Sequence, residues 1–133
     1  MKRVFLGGTC NGSNWRDILI PKLKIGFFNP VVADWTEAAQ ERELLERKQA
    51  DFVLYVLTPK MRGVYAVAEV ADDSNKRPEK TILCILTEDS EEIFDAVELR
   101  SLTAVKDLIL RNGAVFFSSL DLTAEYLNSN GKE

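Results

Sequence analysis

One acidic side chain stands in a stretch of small and apolar residues, where it could carry out covalent chemistry. Glu69 lies within VYAVAEVA (64–71), six residues after Gly63, a residue that tends to interrupt helices. The pattern predicts a helix over 63–74, with Glu69 in its first two turns. The positive end of a helix dipole favours an ionised carboxylate, and such a group facing a pocket can attack an anomeric carbon, as in retaining glycosyl transfer.

The same spacing is also compatible with a purely structural position for this acid. A helix would place Glu69 on one polar stripe with Tyr65, Asp72 and Asp73, facing solvent. The pattern of residues therefore leaves a catalytic and a surface carboxylate as alternatives.

The elements that must position this side chain alternate along the chain. Apolar, β-branched segments predict strands at 2–7, 26–32, 51–57, 80–86 and 114–118, separated by helical patterns. Such alternation implies right-handed crossovers and a mainly parallel sheet covered on both faces. We therefore expect a single α/β domain over 1–133: a three-layer sandwich, flavodoxin-like and doubly wound, with five strands in the order 2-1-3-4-5.

Helix boundaries are indicated by capping residues and by one proline. Ser13 or Asn14 can cap the first helix, which Pro21 must kink or end early. Asp34, with Glu37 three residues later, is typical of a capping box that opens the second helix. The many charges of that helix, TEAAQERELLERKQ (36–49), predict a solvated face.

This topology predicts a crevice at the carboxyl ends of strands 1 and 3, where the strand order reverses. The loop GGTCNGSNW (7–15) follows strand 1. Gly7 and Gly8 would let the backbone approach a ligand closely, while Thr9 and Asn11 offer hydrogen bonds. An ordinary strand-to-helix turn has similar glycines, and Trp15 could either pack its helix or stack on a base.

The loop TPKMRG (58–63) follows strand 3 and would meet the first loop at the crevice. Its Met61 and Gly63 are therefore candidate substrate contacts, together with Tyr65 at the start of the next helix.

Composition excludes several classes of protein and chemistry. The chain has no histidine, which rules out imidazole catalysis and imidazole metal sites, and Cys10 and Cys84 have no metal-ligand spacing. We expect Cys84 to pack in the core. A net charge of −4 argues against nucleic-acid binding, and no apolar run is long enough to span a membrane. A cytoplasmic protein acting on a small ligand is expected.

Three stretches, VFLGGTCNGSNWR, FFNPVV and QADFVLYVLTPKMRGVYAVAEV, together resemble the nucleoside 2-deoxyribosyltransferase-like family over about residues 3–87. The resemblance implies that a glutamate displaces the base from C1′, and Glu69 is the matching position. It implies that 7–11 and Asn29 line the sugar or base pocket, that the ligand is a nucleoside or nucleotide, and that no cofactor or metal is required. It also implies a homo-oligomer, because neighbouring subunits commonly complete such pockets. The resulting site has Glu69 as catalytic residue and Gly7, Gly8, Thr9, Asn11, Asn29, Met61, Gly63 and Tyr65 as substrate-binding residues.

The sequence departs from the family pattern at three positions. Active members usually carry Asp six residues before the nucleophile, Gly four before it and Gly two after it; here these positions are Gly63, Tyr65 and Ala71. The missing Asp would weaken deoxyribose binding, and Tyr65 would fill space or supply a hydroxyl. A non-catalytic nucleotide-binding or signalling module is therefore an alternative to a transferase or hydrolase, and NAD glycohydrolase-like activity is a third.

Overall fold

The computed structural model describes residues 1–10 and 12–132. The five strands of its main sheet alternate with helices, as the sequence pattern predicts. The strands are β1 (Arg3–Gly8), β2 (Gly26–Phe28), β3 (Phe52–Leu57), β4 (Thr81–Ile85), β5 (Glu88–Asp89), β6 (Glu92–Ile93) and β7 (Val115–Phe117). The helices are α1 (Trp15–Leu19), α2 (Glu37–Gln49), α3 (Tyr65–Lys76), α4 (Ala96–Arg111) and α5 (Leu120–Asn130), with short 3₁₀ turns at Ile20–Lys22 and Pro78–Lys80.

Five parallel strands form the main sheet, in the order β2-β1-β3-β4-β7. This confirms the predicted flavodoxin-like order, since β7 is the fifth strand of the prediction. The antiparallel ribbon of β5 and β6 was not predicted. Helix α4 begins after this ribbon, at Ala96, where Asp95 and Glu98 form a capping box.

Hydrophobic side chains cover both faces of this sheet and make the three layers. Leu54 and Val56 of β3 pack towards α1 and α5, while Val53 and Leu57 pack towards α3 and α4. All six residues of β3 are buried, as expected of a central parallel strand. Cys84 is fully buried, which confirms its predicted place in the core.

The helix starts differ in detail from the prediction. Thr36, not Asp34, caps α2: its Oγ1 accepts a hydrogen bond from the Ala39 amide at 3.0 Å. Asn14 stands at the N-cap of α1 without a side-chain capping bond. Ser13 donates its hydroxyl to Asp89 Oδ2 at 2.6 Å, which fixes the loop to the β5–β6 ribbon.

Pro21 ends the first helix early, as predicted, since α1 stops at Leu19 and a 3₁₀ turn follows. Within 1–10 and 12–132, no helix combines the length and apolar character needed to cross a membrane.

Candidate active site

The loop after β1 is joined to β3 and to the loop after it by hydrogen bonds at the carboxyl edge of the sheet. The Thr9 amide donates to the Val56 carbonyl at 2.9 Å, and the Thr58 amide donates to Thr9 Oγ1 at 3.0 Å. Gly8 has φ +113°, and a Cβ there would overlap the Val56 carbonyl oxygen. Only glycine fits this close approach, so the strand-to-loop junction depends on it.

A cavity of about 230 Å³ opens at this edge, between the two loops and helices α2 and α3. Among the described residues, its lining includes six of the predicted site positions and several others. The lining consists of Gly8, Thr9, Cys10, Glu43, Leu57, Met61, Arg62, Gly63, Tyr65, Ala66 and Glu69.

Two predicted positions, Gly7 and Asn29, are not part of this lining. Gly7 is buried against the ring of Tyr55, and a side chain at this position would overlap that ring. Glycine is therefore needed here for the packing of the two strands. Asn29 is exposed, and its Oδ1 accepts a hydrogen bond from the Val31 amide at 3.0 Å within its own turn. Asn11 lies outside the described residues. Trp15 is buried in the core and donates its indole N–H to the Thr9 carbonyl at 2.7 Å, which makes it a packing residue rather than a stacking platform.

Beside the cavity lies a buried charged network centred on Asp73, which is fully excluded from solvent. Arg47 donates from Nε to Asp73 Oδ2 at 2.9 Å and from Nη2 to Oδ1 at 3.0 Å. The Tyr55 hydroxyl donates to Asp73 Oδ2 at 2.5 Å, and Arg77 Nε lies 2.9 Å from Oδ1. Two guanidinium groups thus compensate one buried carboxylate.

Each group of this network stabilises the protonation state of its neighbours. Burial opposes the charge on Arg47, but its hydrogen bond to Asp73 and nearby negative charges raise its pKa above the ordinary value. Burial and the adjacent Asp73 raise the pKa of the Tyr55 hydroxyl, so that it stays a hydrogen-bond donor. Arg47 is therefore a fixed cation beside Glu69.

Glu69 projects from α3 between this network and the cavity. Its side chain is largely buried, and its Oε2 lies 3.7 Å from Arg47 Nη1. Burial raises the pKa of Glu69 to about 7; Arg47 opposes this shift, while Glu43 and Asp73 add to it.

The expectation of a carboxylate held ionised by the helix dipole is wrong. Glu69 is the fifth residue of α3, beyond the first turn where the dipole is effective, so burial dominates its pKa. The alternative of a solvated stripe is also wrong, because Glu69 and Asp73 are both buried.

A second carboxylate, Glu43 of α2, faces the same space. It also lines an adjoining cavity of about 230 Å³, formed with Trp35, Gln40, Leu44, Tyr65 and Glu69. Burial raises the pKa of Glu43, while the charges of Arg47 and Arg16 oppose the shift. The two cavities share Tyr65 and both carboxylates, and together they form one cleft between α2 and α3.

Sequence reasoning missed both Glu43 and Arg47, because the charges of α2 predicted a solvated face. Arg47 is buried and Glu43 is half-buried, since α2 lies across α3 at this edge. Their spacing of one helical turn was a signal that they share a face, but nothing in the pattern indicated what that face contacts. In the described part of the chain, no group of three histidine, cysteine or acidic residues could hold a metal ion.

The fold and the cleft define a class of protein: a doubly wound α/β domain with an acidic cleft at its topological switch point. Residues 1–88 match the model of the family described as nucleoside 2-deoxyribosyltransferase-like, and the chain belongs to that family. The matched stretch contains every residue of the cavity lining given above. Comparisons with curated proteins and with solved structures found no match. Membership of this family supports a function in glycosyl transfer in general terms.

Proposed function

We propose that the chain cleaves or transfers the N-glycosidic bond of a nucleoside or nucleotide, with Glu69 as the nucleophile. The observation that carries this proposal is a buried carboxylate facing a cavity, in a family associated with glycosyl transfer. Ionised Glu69 attacks C1′, the bond from C1′ to the base breaks, and a glycosyl-enzyme forms. Water or a second base then attacks C1′ and releases Glu69.

The surroundings of Glu69 suit this chemistry. Arg47 Nη1, 3.7 Å away, stabilises the ionised form that must attack, and the network around Asp73 holds Arg47 in place. Apolar side chains of Leu57, Met61 and Ala66 line the same cavity and would limit the access of water. The adjoining cavity provides room for the part of a nucleoside that the first cannot hold.

The test is incubation with a panel of ribonucleosides, 2′-deoxynucleosides, their 5′-phosphates and NAD, followed by chromatography for free base. Base release that becomes base exchange when a second base is added identifies a transferase, and release alone identifies a hydrolase. Cleavage of NAD only would favour a glycohydrolase. Binding of a nucleotide without any cleavage would contradict the proposal and favour a non-catalytic module.

Gly63 stands where active members of the family usually carry an aspartate, and this difference supports a prediction about sugar binding. A Cβ at this position meets no atom within 4 Å, and Gly63 lines the cavity, so an aspartate can be accommodated there. Gly63→Asp should lower the KM for 2′-deoxynucleosides by about tenfold, because a charged acceptor strengthens a hydrogen bond to a sugar hydroxyl. Gly63→Ala is the matched control, and steady-state kinetics on both variants checks the effect. An unchanged KM in Gly63→Asp would show that the sugar is held elsewhere.

We also propose that the protein self-associates. Trp35 and Leu44 line the outer part of the cleft with 67% and 50% of their surfaces exposed, and burying them against a neighbouring subunit would be favourable. Light scattering at high micromolar concentration should therefore give a mass at least about twice the 15.0 kDa of one chain. A monomer under these conditions would contradict the proposal.

A further inference from the structure

The adjoining cavity of the cleft combines two carboxyl groups with two aromatic rings. Its lining consists of Trp35, Gln40, Glu43, Leu44, Tyr65 and Glu69. Among the described residues, this lining includes no lysine or arginine. We propose that the cavity takes a positively charged base, so that the substrate is a cationic nucleoside without a phosphate group. This inference deepens the proposed function and rests on it for the place of C1′ at Glu69.

The two carboxyl groups are only partly compensated by cations of the protein. Glu69 has 9% of its surface exposed and accepts no hydrogen bond within the described part of the chain. Its nearest cation, Arg47, lies 3.7 Å away and directs its Nε and Nη2 atoms to Asp73. Burial raises the pKa of both Glu43 and Glu69 in spite of this arginine. A cation bound between the two acids would therefore interact favourably with both.

Two other arginines close to the cleft have partners elsewhere. Arg16 donates hydrogen bonds from Nε and Nη2 to the Leu6 carbonyl and from Nη1 to the Thr9 carbonyl. Arg62 lines the first cavity, where it lies 3.8 Å from Glu92 with 70% of its side chain exposed. A phosphate group in the adjoining cavity would thus meet carboxylates and no cation, which is unfavourable.

The aromatic rings of the cavity add a second attraction for positive charge. Trp35 precedes α2 and Tyr65 opens α3, so the two side chains reach the cavity from different elements. They are 67% and 68% exposed, and neither has a ring contact, a cation contact or a hydrogen bond among residues 1–10 and 12–132. The faces of aromatic rings attract cations, and tryptophan does so most strongly. Rings and carboxyl groups in one cavity therefore favour a positive base over a neutral base of the same shape.

A positively charged base also suits the chemistry of Glu69. The charged ring is bonded to C1′, so placing C1′ at Glu69 puts the charge beside both carboxyl groups. A Glu69 oxygen bonds to C1′ while the C1′–N bond breaks, and the electron pair of that bond stays on the nitrogen and neutralises the base. The base thus leaves without taking up a proton. Water then attacks C1′, the bond to Glu69 breaks, and one proton of that water passes to the solvent.

The test compares the binding of two uncleavable ligands of closely similar shape, by calorimetric titration of the full chain. Carbocyclic nicotinamide riboside carries a positive ring, whereas benzamide riboside is a neutral C-nucleoside. We expect the cation to bind with a Kd at least about tenfold lower than that of the neutral ligand. The 5′-phosphate of the cationic ligand should bind more weakly than the cationic ligand itself. Equal Kd values for cation and neutral ligand, or tighter binding of the phosphate, would overturn the inference.

Three variants show whether the carboxyl groups and rings cause the preference. Glu43→Gln should reduce the ratio of the two Kd values to about threefold or less, because it removes one negative charge. Trp35→Leu should weaken binding of the cation about two- to fivefold more than binding of the neutral ligand. Glu41→Gln, an exposed change on the same helix as Glu43, is the matched control and should leave the ratio unchanged. An unchanged ratio in both Glu43→Gln and Trp35→Leu would place the cation elsewhere and overturn the inference.

A cleavage assay separates this inference from the proposal on which it rests. Nicotinamide riboside supplies a pyridinium base and 7-methylguanosine a methylated purine, and the higher kcat/KM of the two identifies the class of positive base. Preferred binding of the cation without release of base from either nucleoside would overturn the catalytic role of Glu69 and leave the ligand assignment intact. Base release from neutral nucleosides, with equal binding of the two uncleavable ligands, would support Glu69 and overturn the inference.

Discussion

Replacing Glu69 with alanine or glutamine should reduce base release by about 10⁴-fold or more, because either change removes the group that attacks C1′. Glutamine keeps the shape of the side chain but cannot form the glycosyl-enzyme. The measurement is chromatographic detection of free base on a substrate that the parent cleaves. With a slow substrate that carries fluorine beside the anomeric carbon, mass spectrometry should find a sugar adduct on the parent's peptide that contains Glu69.

A stability measurement shows whether the loss of activity reflects chemistry or folding. The pKa of Glu69 is raised from 4.5 to about 7, so the folded protein binds this proton more tightly than the unfolded chain does. The stabilisation from the protonated carboxyl is therefore complete below pH 4.5 and is lost as the pH rises towards 7. Glu69→Gln, whose side chain stays neutral, should have the same free energy of unfolding as the parent near pH 4.5. At pH 8 this variant should be more stable than the parent. If both variants retain the parent's turnover, the assignment of the nucleophile is wrong.

The second prediction with a large expected effect concerns the free energy of unfolding when Arg47 is replaced. Arg47→Met should lower the free energy of unfolding by about 3–5 kcal/mol, because it leaves the buried Asp73 without its main cation and Glu69 without its nearest one. Urea denaturation monitored by circular dichroism measures the effect. Lys48→Met is the matched control: it makes a comparable change at the next, exposed position of α2, where about 0.5 kcal/mol or less is expected.

A double-mutant cycle identifies the cause of that loss. If the cost of Arg47→Met arises from an uncompensated carboxylate, then in a chain that carries Asp73→Asn the same replacement should cost considerably less. Equal costs in both backgrounds would show that packing of the Arg47 side chain, not its charge, is responsible. A loss below about 1 kcal/mol would indicate that Arg77 and Tyr55 compensate Asp73 without Arg47.

The order of the sheet and the place of the crevice could be predicted from the sequence because they follow from local patterns. Apolar segments separated by helical ones leave few topologies, since crossovers between parallel strands are right-handed. The strand order then places the loops at Thr9 and Met61 beside each other, and the structure brings both to one cavity with Glu69. The β5–β6 ribbon was missed because strands of two residues carry no periodic signal.

The sequence by itself determined which residues of α3 share a face, but not whether that face is solvated. A charged helical stripe has the same pattern when it faces water and when a neighbouring helix covers it. In the tertiary structure, α2 lies across α3, so that Arg47 meets Asp73 and Glu43 faces Glu69. Residues 26 positions apart in the chain thereby become neighbours in a site of low dielectric. Only this packing removes water from Glu69 and raises its pKa to about 7, because desolvation depends on everything that surrounds a group and not on its neighbours in sequence.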